Sequence, residues 1–292
     1  MRQVVVTGAT GQLGAAVVQK FRAVGGWLVK GLSHEEVECT DPVSVRAVLA
    51  GLSPAVVVHC AAFVRVDDCE DQPDVAFRVN ALGALHVARA CREAGARCVY
   101  VSTDYVFDGT KAEPYTEEDV PQPINVYGAS KLAGEHLVRQ TCPDAVVVRV
   151  ASLFGGRGAR GKGTNFVLTV LERARRGEAL RVVDDIQMSP TYTLDAAEAI
   201  VHLVERGALG LFHVVNDGRC TWYEFARKIV ELSGLQVPVE PVSHDAFPTR
   251  ARRPANSALA THRLAGLGIR LRPWADALGD YLAWLAAGIP SG

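Results

Sequence analysis

Val4-Val5-Val6-Thr7-Gly8-Ala9-Thr10-Gly11-Gln12-Leu13-Gly14 runs from a β-branched strand through a glycine turn into a segment of helical pattern. The fold is decided at this junction. Glycines spaced GxxGxxG permit a tight turn and close approach of the backbone to a pyrophosphate, whose charge is favoured at the N-terminus of the following helix. Without a strand before them, the same letters would mark only a tight connection. With the strand present, Gly8, Gly11, Gln12, Leu13 and Gly14 are expected to hold a dinucleotide cofactor. A valine at Gly11 should disturb the turn through both its side chain and its backbone preference.

The same rhythm continues outward from the turn. Gln3–Thr7 is followed by a helix from about Gln12 to Val24, a strand at Trp27–Leu32 and a helix around Pro42–Gly51. Val56–Cys60 and Cys98–Ser102 follow, with helices between and after them, which is the βαβ pattern of a parallel sheet. Val56-Val57-Val58 and Val146-Val147-Val148 are continuous apolar runs, as expected of strands covered on both faces. The expected fold is α/β, a Rossmann-like doubly wound parallel sheet with a smaller C-terminal substrate lobe. Residues 1–150 form the cofactor-binding domain and 151–292 mainly the substrate lobe, with a segment near 180–205, including Thr193–Glu205, returning to the first. Between Gly155 and Gly163 a glycine-rich basic stretch precedes a helix at Asn165–Arg176. Its cations, Arg157 to Lys162, either contact a diphosphate or form a solvated loop.

The composition narrows the function. A chain of 292 residues, 49% hydrophobic with a formal charge of −1, is globular and lacks the basic bias of a nucleic-acid binder. The start, Met1-Arg2-Gln3-Val4-Val5-Val6, runs straight into a strand without the apolar core of a secretion signal, and no apolar run reaches membrane-spanning length. Neither a nucleic-acid nor a membrane partner is expected. The seven cysteines are odd in number and lack CxxC spacing, which fits reduced thiols in the cytoplasm. The carboxylates show no metal-ligand spacing, so no metal is expected, and a homodimer is compatible with the fold.

Around Lys30-Gly31-Leu32-Ser33-His34 the second strand ends without the carboxylate that usually binds the adenosine ribose. A ribose 2′-phosphate beside Ser33 would meet less repulsion, with Lys30 or His34 to neutralise it. NADPH is therefore favoured, with NADH still open; Glu35 and Glu36 weigh against this if the strand ends later. Ala61, Ala62 and Asn80 are expected near the nicotinamide side. The chemistry is carried by Tyr127 and Lys131, four residues apart and hence on one helix face, where the ammonium stabilises the phenolate. Val99-Tyr100-Val101-Ser102-Thr103-Asp104-Tyr105 reads as a strand opening into a polar loop at the carboxyl end of the sheet, where ligands bind. Ser102 joins the cofactor set, and Thr103 is expected beside Tyr127, bonding the substrate oxygen or tuning the phenol.

At these residues the chain resembles the extended short-chain dehydrogenase/reductases and, within them, the dTDP-4-dehydrorhamnose reductase family. The resemblance runs over nearly the whole length. It is carried by Thr7 to Gly14, Ala61-Ala62 with Val66-Asp67 and Glu70, Ser102 to Phe107, Tyr127 to Glu135, and the distal motifs Thr221-Trp222-Tyr223 and Arg253-Pro254-Ala255-Asn256-Ser257. It implies hydride delivery to C4 of dTDP-4-dehydro-L-rhamnose, proton donation by Tyr127, contact of Lys131 with the nicotinamide ribose, and dTDP-L-rhamnose as product. Thr103, Asp104 and Arg253 would lie on the substrate. One departure is that a tryptophan flanking the substrate in family members is absent from Val150-Ala151-Ser152-Leu153-Phe154, which leaves Phe154 or another aromatic to compensate. Two alternatives stand beside this reading. One is a non-catalytic NADP-binding regulatory subunit, like the beta subunit of methionine adenosyltransferase, which shares sequences such as His59-Cys60-Ala61-Ala62. The other is a reductase or epimerase of another nucleotide sugar.

Overall fold

A computed structural model describes residues 1–156 and 164–288. Six strands form the main sheet: β1 (Arg2–Thr7), β2 (Trp27–Leu32), β3 (Val56–His59), β4 (Arg97–Thr103), β5 (Val146–Val150) and, much later in the chain, β10 (Gly210–His213). Their order is β10-β5-β4-β3-β1-β2 and every pairing is parallel. Because β2 and β3 lie on opposite sides of β1, the chain reverses direction across the sheet at that strand, leaving a crevice beyond the carboxyl ends of β1 and β3.

Helices cover both faces. On one face α1 (Gln12–Val24) packs with α8 (Thr193–Glu205) over Val4, Val6, Val58 and Val148. On the other, α2 (Pro42–Leu52), α5 (Ala84–Ala94) and α6 (Val126–Thr141) lie over Val5, Val57 and Val147. Alternate residues of each valine run thus enter different cores, the reason these strands are apolar throughout. The short helices α3 (Val66–Asp71) and α4 (Pro73–Phe77) lead into a π-helical turn at Arg78–Gly83 before α5.

The second half builds its own core from α7 (Phe166–Arg175), α9 (Trp222–Ser233) and α11 (Trp274–Ala286) around Phe154, Tyr192, Phe225 and Tyr281. Three two-stranded ladders frame it: β6 (Leu153–Phe154) with β9 (Thr191–Tyr192), β7 (Leu180–Val183) with β12 (Val239–Val242), and β8 (Gln187–Met188) with β11 (Cys220–Thr221). A short helix, α10 (His262–Gly266), packs beside β10. Helix α8 packs on the first sheet and β10 pairs with β5 in it, whereas β7 pairs with β12. Helix α7 starts one residue later than the sequence pattern implies, because Asn165 caps it, accepting from Leu168 N at 3.0 Å. No helix among the described residues is long and apolar enough to cross a membrane.

One buried ion pair fastens α6 to the sheet. Arg149 on β5 meets Glu135 on α6 through two bonds, Nε to Oε1 at 2.8 Å and Nη2 to Oε2 at 2.7 Å, with both side chains 3% exposed. Ser102 on β4 donates to the same Oε1 at 2.5 Å. Such a pair need not stabilise more than apolar residues would, but removing one partner strands a buried charge. Glu135→Ala is therefore expected to cost about 3–5 kcal/mol, read as a lowered urea midpoint at unchanged slope.

Candidate active site

The crevice at the sheet's carboxyl edge is a cavity of about 960 Å³. Gly8, Gly11, Gln12, Leu13, Gly14, Ser33, His34, Ala61, Ala62, Ser102, Thr103, Asp104, Tyr127 and Lys131 all line it. Its end at the glycine turn is shaped by backbone contact. A Cβ on Gly14 would stand 2.2 Å from the Gly8 carbonyl oxygen, so helix α1 reaches the turn only because that position has no side chain. At Gly11 the added atom would be 3.1 Å from the same oxygen and φ is an ordinary −79°. The expected backbone preference at Gly11 is thus not at work; only its side-chain space matters. Gly11 caps α1 without a side-chain hydrogen bond, and the first turn carries no acidic residue, so the helix N-terminus is open to an anion.

At the second strand's end Ser33, His34 and Glu35 face the cavity, whereas Lys30 does not line it. Lys30 Nζ is bonded to Glu36 Oε1 at 2.6 Å, and Glu36 also accepts from Ser33 N at 2.8 Å. The cation expected from Lys30 is held by a carboxylate six residues away, and His34, which does line the cavity, has its Nε2 3.3 Å from Glu38 Oε2. Asn80 also stands back from it. Its side chain bonds Phe63 N, Phe63 O and Ser130 Oγ at 2.8–3.0 Å, bracing the Ala61-Ala62-Phe63 turn from behind. The Ser102 side chain likewise works below the cavity floor, on Glu135.

Tyr127 and Lys131 come from the first turns of α6. Asn125 caps this helix, accepting from Gly128 N at 2.8 Å, while Glu70 Oε1 accepts from Val126 N at 2.8 Å. A Cβ on Gly128 would fall 2.0 Å from Tyr105 O, so the helix start is pressed onto the loop after β4 and Tyr127 meets Thr103 there. Burial holds the Tyr127 phenol well above the usual tyrosine range and therefore protonated, and the neighbour that eases its ionisation is the Thr103 hydroxyl rather than Lys131. Lys131 is 2% exposed. Its Nζ donates to Val101 O at 2.6 Å and sits 4.2 Å from the centroid of the Tyr100 ring. Burial pulls Lys131 down to about 7, partly opposed by Glu135. Asp104, 3% exposed, is pushed up to about 6 by burial.

A second cavity of about 620 Å³ adjoins the first, sharing Tyr105, Phe166, Thr169 and Trp222 with it. Arg173, Arg181, Arg252, Arg253 and Phe247 complete much of its wall. Arg253 lines this cavity and not the first; its Nη2 bonds Asp67 Oδ2 at 2.9 Å, and Ala251 N bonds Asp67 Oδ1 at 3.0 Å. Phe154 is 1% exposed and stacked on Tyr192 at 5.5 Å, so its ring belongs to the core of the second half. The aromatic surface where the cavities meet is instead Phe166 and Trp222, with centroids 4.7 Å apart. Phe166, Arg173, Arg181 and Phe247 carry no sequence signal as site residues, whereas Tyr105, Trp222 and Arg253 lie within the motifs quoted above. The basic stretch Arg157 to Lys162 lies outside the described residues. Among the described residues no group of His, Cys, Asp and Glu is arranged to hold a metal ion.

Residues 1–287 match the model of the RmlD substrate binding domain. The chain belongs to that family. It is 40% identical to the spore coat polysaccharide biosynthesis protein SpsK of Bacillus subtilis (strain 168), over 97% of each chain. It is 39% identical to the dTDP-4-keto-6-deoxy-D-glucose reductase of Streptomyces niveus, over 94% of each. Among solved structures, the dTDP-4-dehydrorhamnose reductase of Bacillus anthracis str. Ames in complex with NADP superposes with a TM-score of 0.93 at 36% identity, covering 97% of this chain and 100% of that one. For this RmlD-family chain, the similarity extends through the second half as well as the cofactor turn.

Two outcomes test the geometry. Gly14→Ala should weaken NADPH binding by about tenfold or more, about 1.4 kcal/mol, in a fluorescence titration, while Gly11→Ala has a smaller effect because only the tighter position lacks room. For Lys131, a folded-state value below the unfolded one means that the unfolded chain binds more protons from about pH 7 up to about pH 10. Its contribution to stability therefore rises with pH in that window, by up to about 1.4 kcal/mol per unit. Urea unfolding of wild type and Lys131→Met should show wild type gaining on the variant as pH rises from 7.

Proposed function

We propose that this chain reduces the C4 ketone of dTDP-4-dehydro-L-rhamnose to the alcohol of dTDP-L-rhamnose, with NADPH as donor and NADH as a second one. The observation that carries this reading is the convergence of Thr103, Tyr127 and Lys131 on one wall of a cleft whose far end is an uncapped helix N-terminus and whose neighbour is the aromatic and arginine-lined cavity. The NADP complex of the Bacillus anthracis reductase supports the choice of cofactor. We assign residues 1–150 mainly to cofactor binding and 151–292 mainly to the substrate, with α8 and β10 serving the first sheet.

A reduced nicotinamide bound in the cleft supplies hydride to the carbonyl carbon. The protein's part is to complete the alcohol and hold its parts in register. Tyr127, kept protonated by its burial, gives its phenolic proton to the carbonyl oxygen. Lys131, which lines the same cleft and is fixed on Val101 O, is assigned to the nicotinamide ribose, while the Thr103 hydroxyl is the neighbour that eases formation of the phenolate. Gly8 to Gly14 take the pyrophosphate, with Ser33 and His34 at the adenosine ribose and Ala61 and Ala62 on the nicotinamide side. In the second cavity Trp222, Phe166 and Phe247 offer ring faces to the base, and Arg173, Arg181 and Arg253 offer charge to the diphosphate. No disulfide joins the cysteines among the described residues, which suits the reducing cytoplasm where we place the enzyme.

The Streptomyces niveus relative favours a second reading, in which the same chemistry acts on dTDP-4-keto-6-deoxy-D-glucose. Following NADPH absorbance with each sugar nucleotide separates the two. Tyr127→Phe should lose most turnover, about 10²–10⁴-fold, with NADPH affinity nearly unchanged, whereas Lys131→Ala should damage both. NADPH binding without turnover of either sugar would favour a regulatory subunit instead, and full activity in Tyr127→Phe would sink the mechanism.

A further inference from the structure

The Thr103 hydroxyl has one proton, and in this structure it is spent. Oγ1 donates to Asp104 Oδ1 at 2.9 Å and accepts from Tyr105 N at 3.2 Å. While so committed the hydroxyl has only lone-pair capacity left for a substrate, and it eases the ionisation of Tyr127 only by turning its proton away from Asp104. A carbonyl oxygen needs donors, so Thr103 cannot serve the ketone while it serves the carboxylate. Asp104 lines the same cleft, and its Oδ2, buried, has no hydrogen-bonding partner among the described residues. An ionised carboxylate in that setting is under-solvated.

We infer that Asp104 is a proton-controlled positioning residue: when protonated it donates to Thr103 Oγ1, reversing the observed hydrogen bond and releasing the Thr103 proton toward the ketone oxygen. No bond to carbon is made or broken in this switch, and the proton that ends on the product still comes from Tyr127. With Asp104 ionised, Thr103 has no proton to offer the ketone, which is left with Tyr127 as its one donor. The groups facing Asp104 permit the change. Thr103 and Tyr105 adjoin it on its own segment, Tyr127 approaches from α6, and the nearby Ser257 hydroxyl eases its ionisation. Asp67 and Arg253, the charges acting on neighbouring Tyr105, are paired with each other at 2.9 Å. Burial outweighs these helpers and brings the carboxyl to about 6, within reach of ordinary pH.

The inference rests on the reductase reading, and the test separates them. Infrared difference spectra of the substrate-free protein should show a protonated carboxyl band that titrates near pH 6 and is missing from Asp104→Asn. In parallel, kcat/KM for the 4-ketosugar should fall through the same ionisation, roughly tenfold per pH unit. That limb should be retained in Thr103→Ser and lost in Thr103→Val and Asp104→Asn, while an ionisation from Lys131 remains. A carboxyl band titrating below pH 5, or a limb that survives in Asp104→Asn, overturns the role of Asp104. Turnover with a flat profile overturns it too and leaves the reductase standing. No turnover of any 4-ketosugar at any pH removes the reductase reading itself.

Discussion

The bidentate contact between Arg149 and Glu135 is the constraint on which the site depends. It ties α6, the source of Tyr127 and Lys131, to β5. Through Ser102 it also ties that helix to β4, whose end supplies Thr103 and Asp104. Two elements that line the cleft are thereby referred to one carboxylate. The network extends outward, since Arg149 lies over the Phe107 ring at 5.1 Å and reaches His213 on β10. His213 is held neutral, with burial and the Arg149 charge drawing it down to about 3. Within this core Glu135 thus answers both Arg149 and the ammonium of Lys131.

A second set of contacts joins the halves of the chain across the cleft. Gln12, in the cofactor turn, donates to Gly155 O at 2.9 Å, and Asn165 donates to the same oxygen at 3.2 Å. Asp67 holds Arg253 and the backbone of Ala251, and Asn125 at the start of α6 donates to Arg252 O at 3.0 Å. The segment that borders the second cavity is therefore anchored to α3 and α6 of the first half. Ser152 adds a local cost, since its φ of 41° is unusual for a residue with a side chain. It is held there by the pairing of β6 with β9 and by Thr191 N, which donates to Ser152 O at 3.2 Å. Strain retained in the wall of a reactive cleft is the kind that surrounding structure must enforce.

Much of the first half is legible in the sequence because its signals are local. Strand, turn and helix between Val4 and Val24 follow from apolar runs and glycine spacing, and the four-residue interval sets Tyr127 and Lys131 on one helix face. The RmlD-family motifs added the second half, whose short ladders have no clear period. The pairing of Lys30 with Glu36, by contrast, depends on how the chain turns after β2, and charge alone did not reveal it. Asn80 was expected at the cofactor, yet a residue in the wall and one bracing it from behind look alike in sequence.

The sequence by itself determined the parallel sheet, the glycine turn after its first strand and the placing of Tyr127 and Lys131 on one helix face. Those follow from residue type and short spacing, which act over a few bonds. Only the tertiary structure decided that Lys131 rests on Val101 O and Tyr100, that Thr103 gives its proton to Asp104, and that arginines and aromatic rings from separate segments share one cavity. Such relations depend on burial and on contacts between residues far apart in the chain, as between Gln12 and Gly155, and no short-range pattern encodes them.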